Sequence, residues 1–150
     1  MVRHLKQHKG GFTLIEILIV IGIIAVLATI VLVAVNPARQ FAQANNAHRA
    51  SDINALLNAV GQYIVDSKGV IPSQITTTSQ DISNGGADIC ALLMPTYIPS
   101  LPQDPRSNDG AGITSCTTYN SNYAIKKDSD GRVTVSAPDA ELGATISVTR

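Results

Sequence analysis

Residues 12–35 read FTLIEILIVIGIIAVLATIVLVAV, and of these only Thr13, Glu16, Gly22 and Thr29 are not plainly apolar. As a helix rising 1.5 Å per residue the run covers roughly 36 Å, enough to cross a hydrocarbon core of ~30 Å with some tilt. A cleaved secretory signal has a shorter apolar core, about 7–15 residues, followed directly by a small-residue site. Here the only such pattern, Ala42-Gln43-Ala44, falls well past the end of the run. The segment therefore reads as a retained membrane helix. Before it, residues 1–11 (MVRHLKQHKGG) carry Arg3, Lys6 and Lys9 and no acid. That bias places the N-terminus in the cytoplasm and residues 36–150 outside.

Glu16 stands out in this run. A carboxylate at the centre of a membrane span costs about 2.5–3.5 kcal/mol, less near an end. Two readings follow: an acid that reaches to the interface and does nothing, or one that meets a positive charge on a partner at the same depth.

The whole chain is 150 residues with 45% hydrophobic and 15% charged residues, 4% aromatics, no tryptophan and a formal net charge of zero. This excludes a charge-driven disordered protein, a strongly basic nucleic-acid binder and an aromatic base-stacking platform. Without Arg3, Lys6 and Lys9 the balance is eight Lys and Arg against eleven acids. Direct nucleic-acid binding is not expected.

The order Gly10-Gly11-Phe12-Thr13-Leu14-Ile15-Glu16, behind a short basic leader and ahead of a long apolar helix, resembles the processing signature of type IV pilins and the related pseudopilins of type II secretion. The resemblance is tight over residues 1–35 and looser to about 68. It implies cleavage between Gly11 and Phe12 by a prepilin peptidase and N-methylation of Phe12. It also implies an assembly role for Glu16, with Thr13 beside it, pairing with the terminal amine of a neighbouring subunit. The implied partners are identical or homologous pilin subunits, the inner-membrane assembly machinery and, before assembly, membrane lipid. The product is a structural subunit of an extracellular pilus-like filament, or alternatively a pseudopilin in a periplasmic secretion piston. A monomeric membrane-tethered binding protein is the reading from a different class.

Four segments follow: a leader over 1–11, a transmembrane and assembly helix over 12–35, an amphipathic continuation over 36–68 and a globular head over 69–150. Pro37 lacks an amide hydrogen and disfavours helix at Asn36. The helix kinks or opens there, or a second helix begins with Pro37 at its first position. Gly22 is a second weak point. Ile53, Leu56, Leu57, Val60 and Ile64 form one apolar stripe. The more polar stretch 42–52 is expected to lack a partner in its own chain and to meet other subunits, with His48 facing solvent or a neighbour. Gly61 suggests a close backbone approach, and Lys68-Gly69 a helix stop.

In the head, residues 69–87 read as loop, and Asp88 as the N-cap of a short helix ending before Pro95. Alternation of Tyr123, Ile125, Val133 and Val135 with polar residues predicts a β-hairpin over 122–137, with Gly131 in its turn and a further strand over 144–149. Laid on the stripe of 53–64, these strands give an α+β fold. The run Leu101-Pro102-Gln103-Asp104-Pro105 resembles a pseudopilin loop, although Arg106-Ser107 replaces the Trp-Gly that often follows. Cys90 and Cys116, the only cysteines, are expected to bridge outside the cytoplasm. No cofactor or zinc site is expected. Asp128-Ser129-Asp130-Gly131 reads as a turn, with calcium near Asp128 and Asp130 as the weaker alternative. The head has no histidine, so Ser-His and Cys-His catalysis is unavailable there and the chain is not expected to be an enzyme. Asp104, Asp109, Asp128 and Asp130 read as solvated loop acids.

Overall fold

The computed structural model describes residues 10–150, so most of the basic leader, Met1–Lys9, lies outside the described residues. The chain divides into two compact units, the first reaching Gln40 and the second running Phe41–Arg150.

In the first unit, α1 spans Leu14–Val35. Its window Leu14–Ala34 has a mean hydropathy of 3.3 and is wholly unburied within the chain. A helix apolar on every side fits a lipid solvent. It runs through Gly22 without interruption, so the break expected there is absent from this helix. At the other expected position the chain does leave helical geometry. Asn36 takes the left-handed conformation (φ 43, ψ 76) and ends α1. α2, Pro37–Asp66, starts with Pro37 at its first position, and the Asn36 carboxamide oxygen accepts the Arg39 amide at 3.3 Å. One asparagine thus ends one helix and caps the next.

In the second unit, α2 ends near the expected Lys68-Gly69 stop. Gly69, at φ 87, returns its amide to the Ile64 carbonyl at 2.7 Å. Four antiparallel strands follow, in spatial order β1-β2-β3-β4: β1 Gln80–Ser83, β2 Asn120–Lys127, β3 Val133–Ala137 and β4 Ile146–Thr149. The hairpin β2–β3 pairs Ile125 with Val135 and Lys127 with Val133, as the alternation predicted. β4 adds Val148 opposite Val135. Strand β1 was not expected, because QDIS offers a single apolar residue in a Ser/Thr/Gly-rich segment. Ile82 nevertheless fills the core, with a bulge between Asp81 and Ser83. The α2 stripe packs on the inner face of the sheet: Ile53, Leu56, Leu57 and Val60 with Tyr123, Ile125, Val133 and Val135. This is the α+β head the sequence implied. The short helix α3, Cys90–Leu93, is begun by Ile89 without a side-chain cap. Asp88 instead accepts the Tyr119 hydroxyl at 2.8 Å.

Candidate assembly site

Among the described residues, the Gly11-Phe12 junction at which the resemblance implies cleavage is open to solvent. Gly10 and Gly11 are exposed with no atom near where a Cβ would stand, and Phe12 is 80% exposed. Thr13 is extended (φ −80, ψ 154) and is the N-cap of α1. Its hydroxyl accepts the Glu16 amide at 3.2 Å, while the Glu16 carboxylate accepts the Thr13 amide at 3.4 Å. This reciprocal capping box satisfies two amides at the helix start and sets an anion against the positive end of the helix dipole. The sequence reading missed the box, although Thr-x-x-Glu ahead of an apolar run is its signature. Chemically, the arrangement holds a carboxylate one helical turn from residue 12, on an exposed helix.

The polar stretch of α2 departs most from expectation, since 42–52 has partners in its own chain. Arg49 is fully buried. Its Nε donates to Asp104 at 2.6 Å and its Nη2 to the other Asp104 oxygen at 3.1 Å, a bidentate pair. Its Nη1 donates to Glu141 at 2.8 Å and to Asn46 at 3.0 Å. Asn45 donates to the Glu141 carboxylate, and Asn46 exchanges hydrogen bonds with the Glu141 backbone. Asp52, nearly buried, accepts the Tyr123 hydroxyl at 2.6 Å and pairs with His48 at 2.9 Å. His48 is therefore half-exposed and engaged within its own chain. Asp104, read as a solvated acid, is 1% exposed.

The cause is helical geometry. Ala42, Arg49, Ile53 and Leu56 share one face, so the buried stripe continues below Ile53 in polar form. A charged residue on a core stripe must be paired, and no buried side-chain nitrogen or oxygen among the described residues lacks a partner. Burial opposes ionisation of Asp104, but the Arg49 guanidinium and the Arg106 amide outweigh it and hold the carboxyl below the usual range. Asp104 and Glu141 in turn hold Arg49 above the ordinary arginine range. Arg49 and Asn45 hold the Glu141 carboxyl low.

Cys90 and Cys116 are joined as a disulfide, closing the long connection between β1 and β2. The Asp128 carboxylate is filled by the hairpin turn itself. It accepts the Asp130 amide at 3.0 Å, the Arg132 amide at 2.8 Å and Arg132 Nε at 2.8 Å, contacts that hold its carboxyl low. Gly131 supplies the turn's positive φ of 81°. Asp109 lies in a one-turn 3₁₀ segment, Asn108–Gly110. The described residues contain no cluster of three His, Cys, Asp or Glu side chains placed to hold a metal ion. Around Gly61 a Cβ would meet nothing within 4 Å, so the expected close backbone approach is absent.

Among the described residues, an apolar helix opened by the Thr13–Glu16 capping box, and a head of one amphipathic helix on a four-stranded antiparallel sheet, define a pilin-like structural subunit. The comparisons with known proteins agree. The prokaryotic N-terminal methylation motif matches residues 6–32. The type II secretion system core protein G of Aeromonas hydrophila is 34% identical over 109 residues, covering 69% of this chain and 71% of that protein. The proteins of the same name from Klebsiella pneumoniae and Klebsiella michiganensis are 37% and 36% identical, over 73% and 72% of their lengths. No solved structure matches significantly. The chain belongs to the pilin and pseudopilin family that includes type II secretion system core protein G.

Proposed function

We propose that this chain is made as a membrane-anchored precursor, cut between Gly11 and Phe12, methylated on Phe12 and polymerised through α1 into a filament. The observation that carries this reading is Glu16: a charged residue in an otherwise apolar, unpartnered helix, one turn from the new terminus. Cleavage creates an ammonium at Phe12. Two opposite charges in lipid are costly apart and less costly together across neighbouring subunits, so assembly supplies what the monomer lacks. The prepilin peptidase, further copies of this chain or homologues, and the inner-membrane assembly machinery are the partners that follow. Before assembly the helix lies in lipid with its N-terminus in the cytoplasm. The names of the three relatives favour a periplasmic secretion pseudopilus over a surface pilus. In either setting the chain acts as a building block and not as an enzyme.

Mass spectrometry of the mature protein tests the reading. The expected N-terminus is Phe12 with one added methyl group. Recovery of the intact leader from assembled material would overturn it. Imaging filaments on and beneath the cell surface, with and without this chain, separates the pilus from the pseudopilus.

A further inference from the structure

The second unit carries an apolar groove of about 730 Å³ on α2, lined by Leu57, Val60, Gly61 and Ile64 together with Tyr97 and Val133. Gly61 opens this groove. No atom lies within 4 Å of where its Cβ would stand. Polar groups bound the groove, Asp66 and Arg150 among them. The same helix also presents an unpartnered apolar side chain: Phe41 is 71% exposed.

The two features lie on one helix, and helical geometry fixes their relation. Twenty residues at 100° each bring Gly61 roughly 200° around the axis from Phe41 and about 30 Å along it. Knob and socket therefore face opposite ways and cannot meet within one chain. A second copy meets both requirements. Its Phe41 side enters the Gly61 face of the first when the two helices run parallel with a stagger of about 30 Å and a relative turn of only ~20°. Because knob and socket are different surfaces, the contact is heterologous, and repeating it generates an open filament. A phenylalanine buries about 150–250 Å² of surface, a large apolar contribution at a subunit contact. Phe41 follows the end of α1 by six residues, so this contact continues in sequence from the proposed assembly helix.

We propose that Phe41 of one copy docks in the Gly61 groove of another and sets the stagger between subunits. The inference rests on the filament reading above and goes further, to a specific contact outside the membrane helix.

The test uses the full chain assembled in its own cells. Phe41→Cys combined with Gly61→Cys should, on oxidation of sheared filaments, give a ladder of dimers, trimers and higher species absent from either single variant. A ladder beyond dimers reports the heterologous contact. A second variant guards against misfolding. Gly61→Leu fills the groove and replaces glycine with a good helix former, so the melting temperature should hold or rise while filament yield falls at least tenfold. Normal filaments from Gly61→Leu, or filaments of the double variant without a ladder, overturn the docking proposal and leave the filament reading standing. In the second case Phe41 faces lipid or another partner. Absence of any assembled form of the unaltered chain overturns both.

Discussion

Replacing Arg49 with methionine removes a cation and leaves its volume largely filled. The structure sets the cost. Asp104 is 1% exposed and receives two of its hydrogen bonds from Arg49. After the substitution only the Arg106 amide remains on that carboxylate. A buried charge stripped of its partner typically costs about 3–5 kcal/mol, a large share of the 5–15 kcal/mol that holds a domain folded. Taking roughly 4 °C per kcal/mol for a unit of this size, the melting temperature should fall by about 12–20 °C. Asp104→Asn alone should also destabilise. The double variant Arg49→Met with Asp104→Asn should be less damaged than the sum of the two, by about 1–3 kcal/mol, because neither charge is then stranded. The assay is thermal and urea unfolding of the full chain in a mild detergent, followed by far-UV circular dichroism. The pH dependence has a definite sign. Asp104 is held below its unfolded value, so its contribution is present above about pH 4 and is lost as pH falls through the lower folded-state value. Asp104→Asn should flatten that acid limb. A cost under about 1 kcal/mol for Arg49→Met, together with strict additivity of the double variant, would refute the reasoning.

Two further predictions concern the head. Tyr123→Phe removes a 2.6 Å hydrogen bond to the nearly buried Asp52 and should cost about 1.5–3 kcal/mol in the same unfolding assay. An unchanged midpoint would show that His48 alone supports Asp52. Reduction of the Cys90–Cys116 bridge, or Cys90→Ser with Cys116→Ser, frees a closure of 26 residues and should cost roughly 3–4 kcal/mol. Thiol labelling of exported protein without reductant should find neither cysteine free.

The N-terminal half of the account was legible because its signals are local. A long apolar run, a lone acid, two glycines and a proline each have a meaning within a few residues, and α1, Asn36 and Pro37 follow from them. The hairpin was legible for the same reason: period-2 alternation around Asp128-Ser129-Asp130-Gly131. The buried cluster was not, because Arg49 meets Asp104 and Glu141 across 55 and 92 residues. Charge in a helix reads as solvated unless its face is counted. Extending the apolar stripe downward from Ile53 through Arg49 to Ala42 would have exposed it. Strand β1 was invisible because its pairing with β2 supplies the order that its own four residues lack. Gly22 misled in the other direction, since a single helical glycine costs only about 1 kcal/mol and a 22-residue helix absorbs it.

The central claim is that Glu16 serves assembly and not anchorage, and the behaviour of Glu16→Leu in cells tests it most directly. The substitution removes a carboxylate from an apolar helix and one half of a capping box. Membrane insertion should be at least as good as in the parent chain. Cleavage at Gly11 should persist, since the exposed junction is untouched. The measurement is the amount of assembled filament relative to mature Phe12-terminated protein in the membrane. The account predicts a normal membrane pool and no filament, with partial recovery in Glu16→Asp. Normal filaments built from Glu16→Leu subunits would contradict it.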